Sequence, residues 1–280
     1  MFKIEKIIFL EKKVVGILGV GWLGLPLAQA FIADDYIVKG STTSFNKLED
    51  LKVKGILPYH IKLSETHITG EIQDFLKDIS YLIINVPPRL RGKGPKESYV
   101  KKMHLLHGEI QKTDIKHILF VSSTAVYGDA VGKVDEETIP KPSSESGIQL
   151  LASENIFRQN LALKTTILRF AGLIGPNRHP VTILSNKKNL VDGNAPVNLI
   201  HLNDCIFIIR KIISENQWDE ILNGVHPEHP TKKTYYTEIA KKRGLKIPDY
   251  QIVKFKKYKK ITSCNPLLTK YYEFYTTLYD

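Results

Sequence analysis

Val14-Val15-Gly16-Ile17-Leu18-Gly19-Val20-Gly21-Trp22-Leu23-Gly24 is the stretch whose reading decides the fold. Val14–Leu18 is a short apolar run that reads as a buried strand, and Trp22–Ala33 has helical periodicity. Between them Gly19, Gly21 and Gly24 make a G-x-G-x-x-G. In a strand–turn–helix each glycine has a physical task. Gly19 permits the tight turn, Gly21 lets backbone approach a pyrophosphate, and Gly24 lets the helix pack on the strand. The helix start, with Trp22 and Leu23 in its turn, then supplies amide donors and a positive dipole end to phosphates. A tight turn without a ligand is the competing reading.

The next strand, Tyr36–Gly40, decides which dinucleotide the turn would hold. An NAD site commonly has an acid at that strand's end for the ribose 2′-hydroxyl. Here Ser41, Thr42, Thr43 and Ser44 follow Gly40, with Lys47 beyond and no acid. Hydroxyls beside a cation suit a 2′-phosphate, which favours NADP over NAD. Lys47 is equally readable as a solvated helix residue.

Further along, strands and helices alternate. Tyr81–Val86 is an apolar strand closed by Pro87-Pro88, and Lys96–Lys112 reads as a helix. His117–Val121 is another strand, then come a helix over Glu145–Leu163 and the strand Thr165–Phe170. This order implies an α/β chain with a Rossmann-type, doubly wound parallel sheet. The sheet domain is expected over residues 13–172. After Gly172, Pro, Gly and Asn recur, short strands (Val197–Ile200, Ile221–Val225) alternate with helices (Asn203–Ile213, Thr234–Lys242), and a smaller, discontinuous substrate-binding region is expected over 173–280.

Composition narrows the function classes. With 42% hydrophobic and 25% charged residues the 280-residue chain is neither disordered nor collagenous nor a disulfide scaffold. No apolar run approaches the roughly 20 residues of a membrane helix. The opening MFKIEKIIFL, broken by Lys3, Glu5 and Lys6, is a poor signal peptide, so a cytoplasmic protein is expected. Neither Cys205 nor Cys264 has metal-ligand spacing, and no metal site is expected. Nucleophile-elbow and P-loop motifs are absent.

The net charge of +11 is local: Thr231–Lys260 holds 11 Lys/Arg against Glu238 and Asp249. Solvated lysine is the plain reading, and an anionic small-molecule substrate is the specific one. Tyr235, Tyr236, Phe255 and Tyr258 are interleaved there as stacking platforms would be, but a packed face has the same pattern, and nucleic acid is disfavoured.

Beyond the glycine turn, Asn85-Val86-Pro87-Pro88 and above all Leu119-Phe120-Val121-Ser122-Ser123-Thr124-Ala125-Val126-Tyr127-Gly128 resemble the extended short-chain dehydrogenase/reductases, the NAD-dependent epimerase/dehydratase superfamily. Ile167–Phe170, Leu173–Pro176 and Asn198–Asp204 agree, and the similarity runs from about Lys13 to the C-terminus. The Pro-Pro pair and Tyr272-Glu273-Phe274 resemble an atypical, epimerase-like subgroup. The resemblance implies NAD(P) binding with Asn85, Val86, Pro87 and Ser122 beside the cofactor. It also implies a nucleotide sugar or similar anionic substrate, and the superfamily's homodimer through two sheet-flanking helices.

Typical members pair a Ser with a Tyr-x-x-x-Lys that passes a proton to or from the substrate oxygen. By resemblance Ser123 is the Ser, though a local capping hydroxyl is its alternative. The Tyr-x-x-x-Lys is missing. Registering Glu154 on the family's Glu puts Ser146 at the Tyr position and Leu150 at the Lys position. Tyr250 and Lys254 repeat the spacing by coincidence in a strand-like segment. Leu18 stands where the family's first glycine falls. A catalytically degenerate NAD(P)-binding sensor or partner protein is therefore the alternative to an epimerase- or reductase-like enzyme.

Four further residues are candidates for substrate contact. Arg169 interrupts an apolar strand, so a structural ion pair competes with a substrate role. Arg178 and His179 follow Gly175-Pro176 in the loop that the resemblance places at the cleft. His201, between Ile200 and Leu202, is readable as a base or as a hydrogen-bonded structural histidine. Arg89, Arg91 and Lys93 read as a phosphate-closing loop or a plain exposed one.

Overall fold

The computed structural model describes residues 12–90, 96–251, 257–270 and 272–279. Arg91, Lys93, Lys254 and Phe255 lie outside the described residues. The first half of the chain runs β1 (Val14–Leu18), α1 (Gly24–Ala33), β2 (Ile37–Thr42), α2 (Leu48–Val53) and β3 (Leu57–His60). The short pair β4 (Lys62–Leu63) and β5 (Ile68–Thr69) then leads to α3 (Ile72–Leu76), β6 (Tyr81–Ile84), α4 (Tyr99–Ile110) and β7 (His117–Ser123). Next come β8 (Gly132–Val134), α5 (Glu145–Arg158), β9 (Lys164–Phe170), β10 (Gly172–Ile174) and α6 (Val181–Leu184). The chain ends with β11 (Leu199–His201), α7 (Leu202–Ser214), β12 (Ile221–Gly224), α8 (Lys232–Lys242), β13 (Lys259–Ile261) and α9 (Pro266–Thr269).

Seven strands form the main sheet in the order β12-β9-β7-β6-β1-β2-β3, every pair parallel. Strands buried on both faces need continuous apolar runs, and Tyr81–Ile84 is buried at all four positions. One apolar cluster packs α1 and α7 against one face, with Leu27, Phe31, Ile208, Ile209 and Ile212. A second packs α3, α4 and α5 against the other, with Phe75, Met103, Leu106, Leu150 and Phe157. The chain winds outward from β1 in both directions, so the sheet's switch point lies between β1 and β6.

Two differences from the sequence reading have physical causes. The strand β3 carries no alternation signal because it is a four-residue edge strand containing Pro58, tolerated where a ladder donor is not needed. Helix α1 starts at Gly24, later than Trp22, because Gly21, Trp22 and Leu23 are spent in the turn.

The chain beyond Gly172 divides its contributions. Strand β12 pairs with β9 at the edge of the main sheet. A third apolar cluster, separate from the sheet, gathers Ile174, Val181, Val197, Tyr235, Tyr236, Ile239 and Tyr250. Tyr235 and Tyr236 are thus core residues, so of the two readings of these aromatics the packed face is the one formed. Among the described residues no helix is long and apolar enough to cross a membrane, and no cluster of His, Cys, Asp and Glu suits a metal ion.

Candidate functional site

The glycine turn lies at the carboxyl end of β1, beside the end of β6. Gly19 has φ +109°, and a Cβ there would fall 2.8 Å from the Asn85 carbonyl oxygen. A Cβ on Gly24 would fall 2.3 Å from the Gly19 oxygen. Both positions are thus closed to larger residues by backbone. A Cβ on Gly21 would meet nothing within 4 Å. The turn is tight on its protein side and open where a ligand would approach.

Neighbouring strands hold this turn. Ser41 Oγ accepts from the Gly19 amide at 2.9 Å, and the Ser41 carbonyl accepts from the Val20 amide at 2.8 Å. Asn85 Nδ2 donates to the Gly19 oxygen at 3.0 Å. The Val86 carbonyl accepts from the buried Tyr99 hydroxyl, which ties the segment before the exposed Pro87 to α4. No side chain caps α1. By contrast α4, α5, α8 and α9 are capped by Ser98, Ser144, Thr231 and Asn265. The amides of Leu25 and Leu27 are taken by the Gly21 and Leu23 carbonyls, so the open side of the turn is the face of Gly21, just before the positive end of the helix.

At the end of β2, Thr42 is buried and its Oγ1 accepts from the Ser44 amide at 3.1 Å. Thr43 and Lys47 are exposed. Phe45, 75% exposed, lies edge-on to His60 with ring centroids 5.8 Å apart. This exposed aromatic escapes the sequence reading because a lone Phe in a polar turn carries no periodic signal.

Trp22 reaches across the sheet's edge. Its Nε1 donates to the Pro176 carbonyl at 2.9 Å, and the exposed Arg178 guanidinium lies 4.9 Å from the ring centroid. Gly175 and Arg178 pair their backbones both ways around Asn177, which has φ +57°. The Trp22–Pro176 bond, across a sequence separation of 154, brings Arg178 to the glycine turn.

The end of β7 behaves otherwise. Ser122 is buried, and its hydroxyl donates to Glu154 Oε1 at 2.5 Å. Arg169 is 2% exposed and bonds the same carboxylate, with Nη2 to Oε2 at 2.6 Å and Nε to Oε1 at 3.1 Å. Its Nη1 donates to the Tyr127 hydroxyl at 2.9 Å, and Tyr127 donates to Asn223 Oδ1 at 3.0 Å. Burial works against the Arg169 charge, but the Glu154 carboxylate outweighs it and the guanidinium pKa is raised. Burial likewise raises the Tyr127 phenol, against the pull of Arg169. Of the two readings of Arg169 the ion pair is the one formed, and its assignment to the substrate is corrected. Glu154, used in the sequence reading only to register the family's helix, is the partner of Arg169.

Ser123 is half-buried at the end of β7, and its Oγ accepts from the Ala125 amide at 3.2 Å. Ser146 and Leu150 are buried on the inner face of α5. Gly147 seats that helix on the turn after β7, since a Cβ there would lie 2.7 Å from the Ala125 oxygen. The first turn of α5, Ser146 included, therefore lies against the Ser123 turn.

The two histidines serve the fold. His179 is 6% exposed, with its Nε2 2.9 Å from the Tyr235 hydroxyl, inside the C-terminal cluster. Burial, aided by Arg243, lowers its pKa to about 4, so the ring is neutral at pH 7. Its placement at the substrate cleft is corrected, because the turn after Pro176 points the imidazole inward while leaving Arg178 outside. His201 Nδ1 accepts from the Asn203 amide at 3.2 Å and caps α7.

Comparison with known proteins places these features in context. No protein-family model matches the chain. Protein YeeZ of Escherichia coli K12 is 35% identical over 240 residues, spanning 85% of this chain and 87% of YeeZ. The uncharacterized UDP-glucose epimerase YtcB of Bacillus subtilis is 24% identical over 204 residues, spanning 65% and 63%. Among solved structures, UDP-glucuronic acid 4-epimerase from Bacillus cereus in complex with NAD has a TM-score of 0.76 at 18% identity, over 95% of this chain and 93% of that one.

Proposed function

The chain belongs to the same family as Protein YeeZ, and we propose that it is an extended short-chain dehydrogenase/reductase of the NAD-dependent epimerase/dehydratase superfamily that binds a nicotinamide dinucleotide and acts on a nucleotide sugar or similar anionic small molecule. The observation that carries this reading is the open face of Gly21 above an uncapped α1, at the crevice between β1 and β6. The residues present fit the cofactor. Gly19, Gly21, Trp22, Leu23 and Gly24 would take the diphosphate, and Asn85, Val86 and Pro87 would line the crevice. The hydroxyl cluster after β2 would meet the adenosine ribose, with Ser41 and Thr42 shaping the turn and Thr43 and Lys47 left free for a 2′-phosphate. NADP is preferred to NAD on that ground. A homodimer through two sheet-flanking helices and a cytoplasmic site of action are part of the same reading.

A bound nicotinamide would supply hydride chemistry. The chain's own task is to hold the sugar and move a proton, and Ser123 is the hydroxyl that matches the family pattern. Tyr127, with its raised pKa and its bond to Asn223, is no substitute for the family tyrosine. Ser146 is a far weaker acid than a phenol, and Leu150 cannot lower a neighbour's pKa. That pair of residues supports a second reading, a dinucleotide-binding sensor that has lost catalysis.

Calorimetric titration with NADPH and NADH, followed by an assay of UDP-glucose and UDP-glucuronic acid in the presence of the oxidised dinucleotides NADP+ and NAD+, separates the readings. Tighter NADPH binding by about tenfold with turnover supports the enzyme. Binding without turnover supports the sensor, and then Ser146→Tyr with Leu150→Lys creates activity if the rest of the site is competent. No binding of either dinucleotide overturns both.

A further inference from the structure

We propose that Arg178 closes over the diphosphate of the bound dinucleotide, with Trp22 as the positioning residue that holds it there; this rests on the dinucleotide reading above. The glycine turn itself, Gly19 to Gly24, carries no basic side chain. Its backbone offers amides to a diphosphate, but the two negative charges have no cation from that segment. Arg178 is the cation that the fold brings to it.

The manner of its holding separates Arg178 from the structural arginines. Arg169 spends Nε and Nη2 on Glu154, and Arg210 spends the same two nitrogens on Asp34 at 2.7 and 2.6 Å. Arg178 is exposed, and among the described residues no carboxylate pairs with it. It rests instead on the Trp22 ring at 4.9 Å. Stacking occupies the face of a guanidinium and leaves the N–H donors on its edge free. That planar fork matches two oxygens of a phosphate at once.

The perch is rigid. Trp22 is fixed to the 175–178 hairpin by the Nε1 bond to Pro176, and a Cβ on Gly175 would lie 3.1 Å from the Trp22 ring. The hairpin itself is closed by both Gly175–Arg178 backbone bonds at 3.0 and 3.1 Å. Trp22 directly follows Gly21, the glycine with the open face, so stacking on its ring sets the guanidinium beside the place where the diphosphate approaches. The same contact joins the turn that holds the cofactor to a loop of the C-terminal part of the chain.

Calorimetric titration with NADPH, ADP, adenosine and UDP-glucose tests this in the full chain and in Arg178→Gln, Arg178→Lys, Trp22→Phe and Trp22→Leu. Arg178→Gln should weaken NADPH and ADP by about 10- to 100-fold, the range of a lost charge-assisted bond, and leave adenosine unchanged. Arg178→Lys should recover part of the loss, since it keeps the charge without the fork. Trp22→Phe keeps a ring and should stay within a few-fold of the parent, while Trp22→Leu should fall toward Arg178→Gln. Parental binding of NADPH and ADP by Arg178→Gln overturns the proposal while the dinucleotide reading stands. So does a loss confined to UDP-glucose, which would assign Arg178 to the sugar nucleotide. Failure of the parent chain to bind either NADPH or NADH overturns the dinucleotide reading itself, and this proposal with it.

Discussion

The carboxyl edge of the sheet treats its polar groups in two ways on either side of β6. At the β1–β6 crevice, α1 begins without a side-chain cap, Gly21 faces open space, and Arg178 rests on an aromatic ring with its donors free. At β7 and β9, Ser122, Glu154, Arg169, Tyr127 and Asn223 are buried and bond one another in series. Both regions are rich in polar side chains, and the sequence motifs mark both. The buried series spends its bonds internally, whereas Arg178 has no carboxylate partner among the described residues. A buried network with its members satisfied is fold chemistry, and an exposed set of donors around a glycine turn is ligand chemistry.

Substitutions that push each region toward the other's state should fail differently. The largest effect is expected for Glu154→Leu, which leaves Arg169 buried and unpaired and should cost about 3–5 kcal/mol in urea denaturation. Adding Arg169→Met should recover most of that loss. If the two losses simply add, the pair is not the unit described here. In the crevice, Gly24→Ala drives a methyl toward the Gly19 oxygen and should cost on the order of 2 kcal/mol, whereas Gly21→Ala should change stability by less than about 0.5 kcal/mol. Equal losses at Gly21 and Gly24 would remove the distinction between the turn's open and closed sides.

Acid should find the C-terminal cluster next. The His179 pKa of about 4 lies below its unfolded value near 6.5, so the unfolded chain binds the extra proton between those values. Stability from this group is complete above pH 6.5 and is lost as pH falls toward 4, on the order of 2 kcal/mol. Denaturation midpoints between pH 7 and 4.5 should show that slope, and His179→Gln should flatten it. An unchanged slope in the variant would locate the acid sensitivity elsewhere. The smallest effect is expected at Tyr250, whose buried hydroxyl has no hydrogen-bond partner among the described residues. Tyr250→Phe should be neutral or slightly stabilising by thermal melt, and a loss above about 1 kcal/mol would mean the hydroxyl is satisfied.

How far these regions could be read from sequence follows from the range of the forces involved. The glycine turn was legible because a strand, three glycines and a helix are contiguous, and each glycine's task is local. The parallel sheet was legible from apolar runs separated by helices. The edge strand Leu57–His60 was not, being short and half-buried with a proline inside. His179 and Arg178 are neighbours in sequence with opposite fates, one buried against Tyr235 and one exposed on Trp22. A turn of the backbone decides that, and no periodicity announces it. The Trp22–Pro176 bond and the Glu154–Arg169 pair both join distant segments, although the second had a trace in the Arg169 charge set among apolar neighbours.

The central claim is that Gly21 is open because a dinucleotide diphosphate lies against it. Calorimetric titration of the parent chain and Gly21→Val with NADPH tests this most directly, with thermal melts of both alongside. One dinucleotide per parent chain is expected, with a melting temperature in Gly21→Val that is nearly unchanged while its binding is lost. Equal NADPH affinity in the two proteins would contradict it.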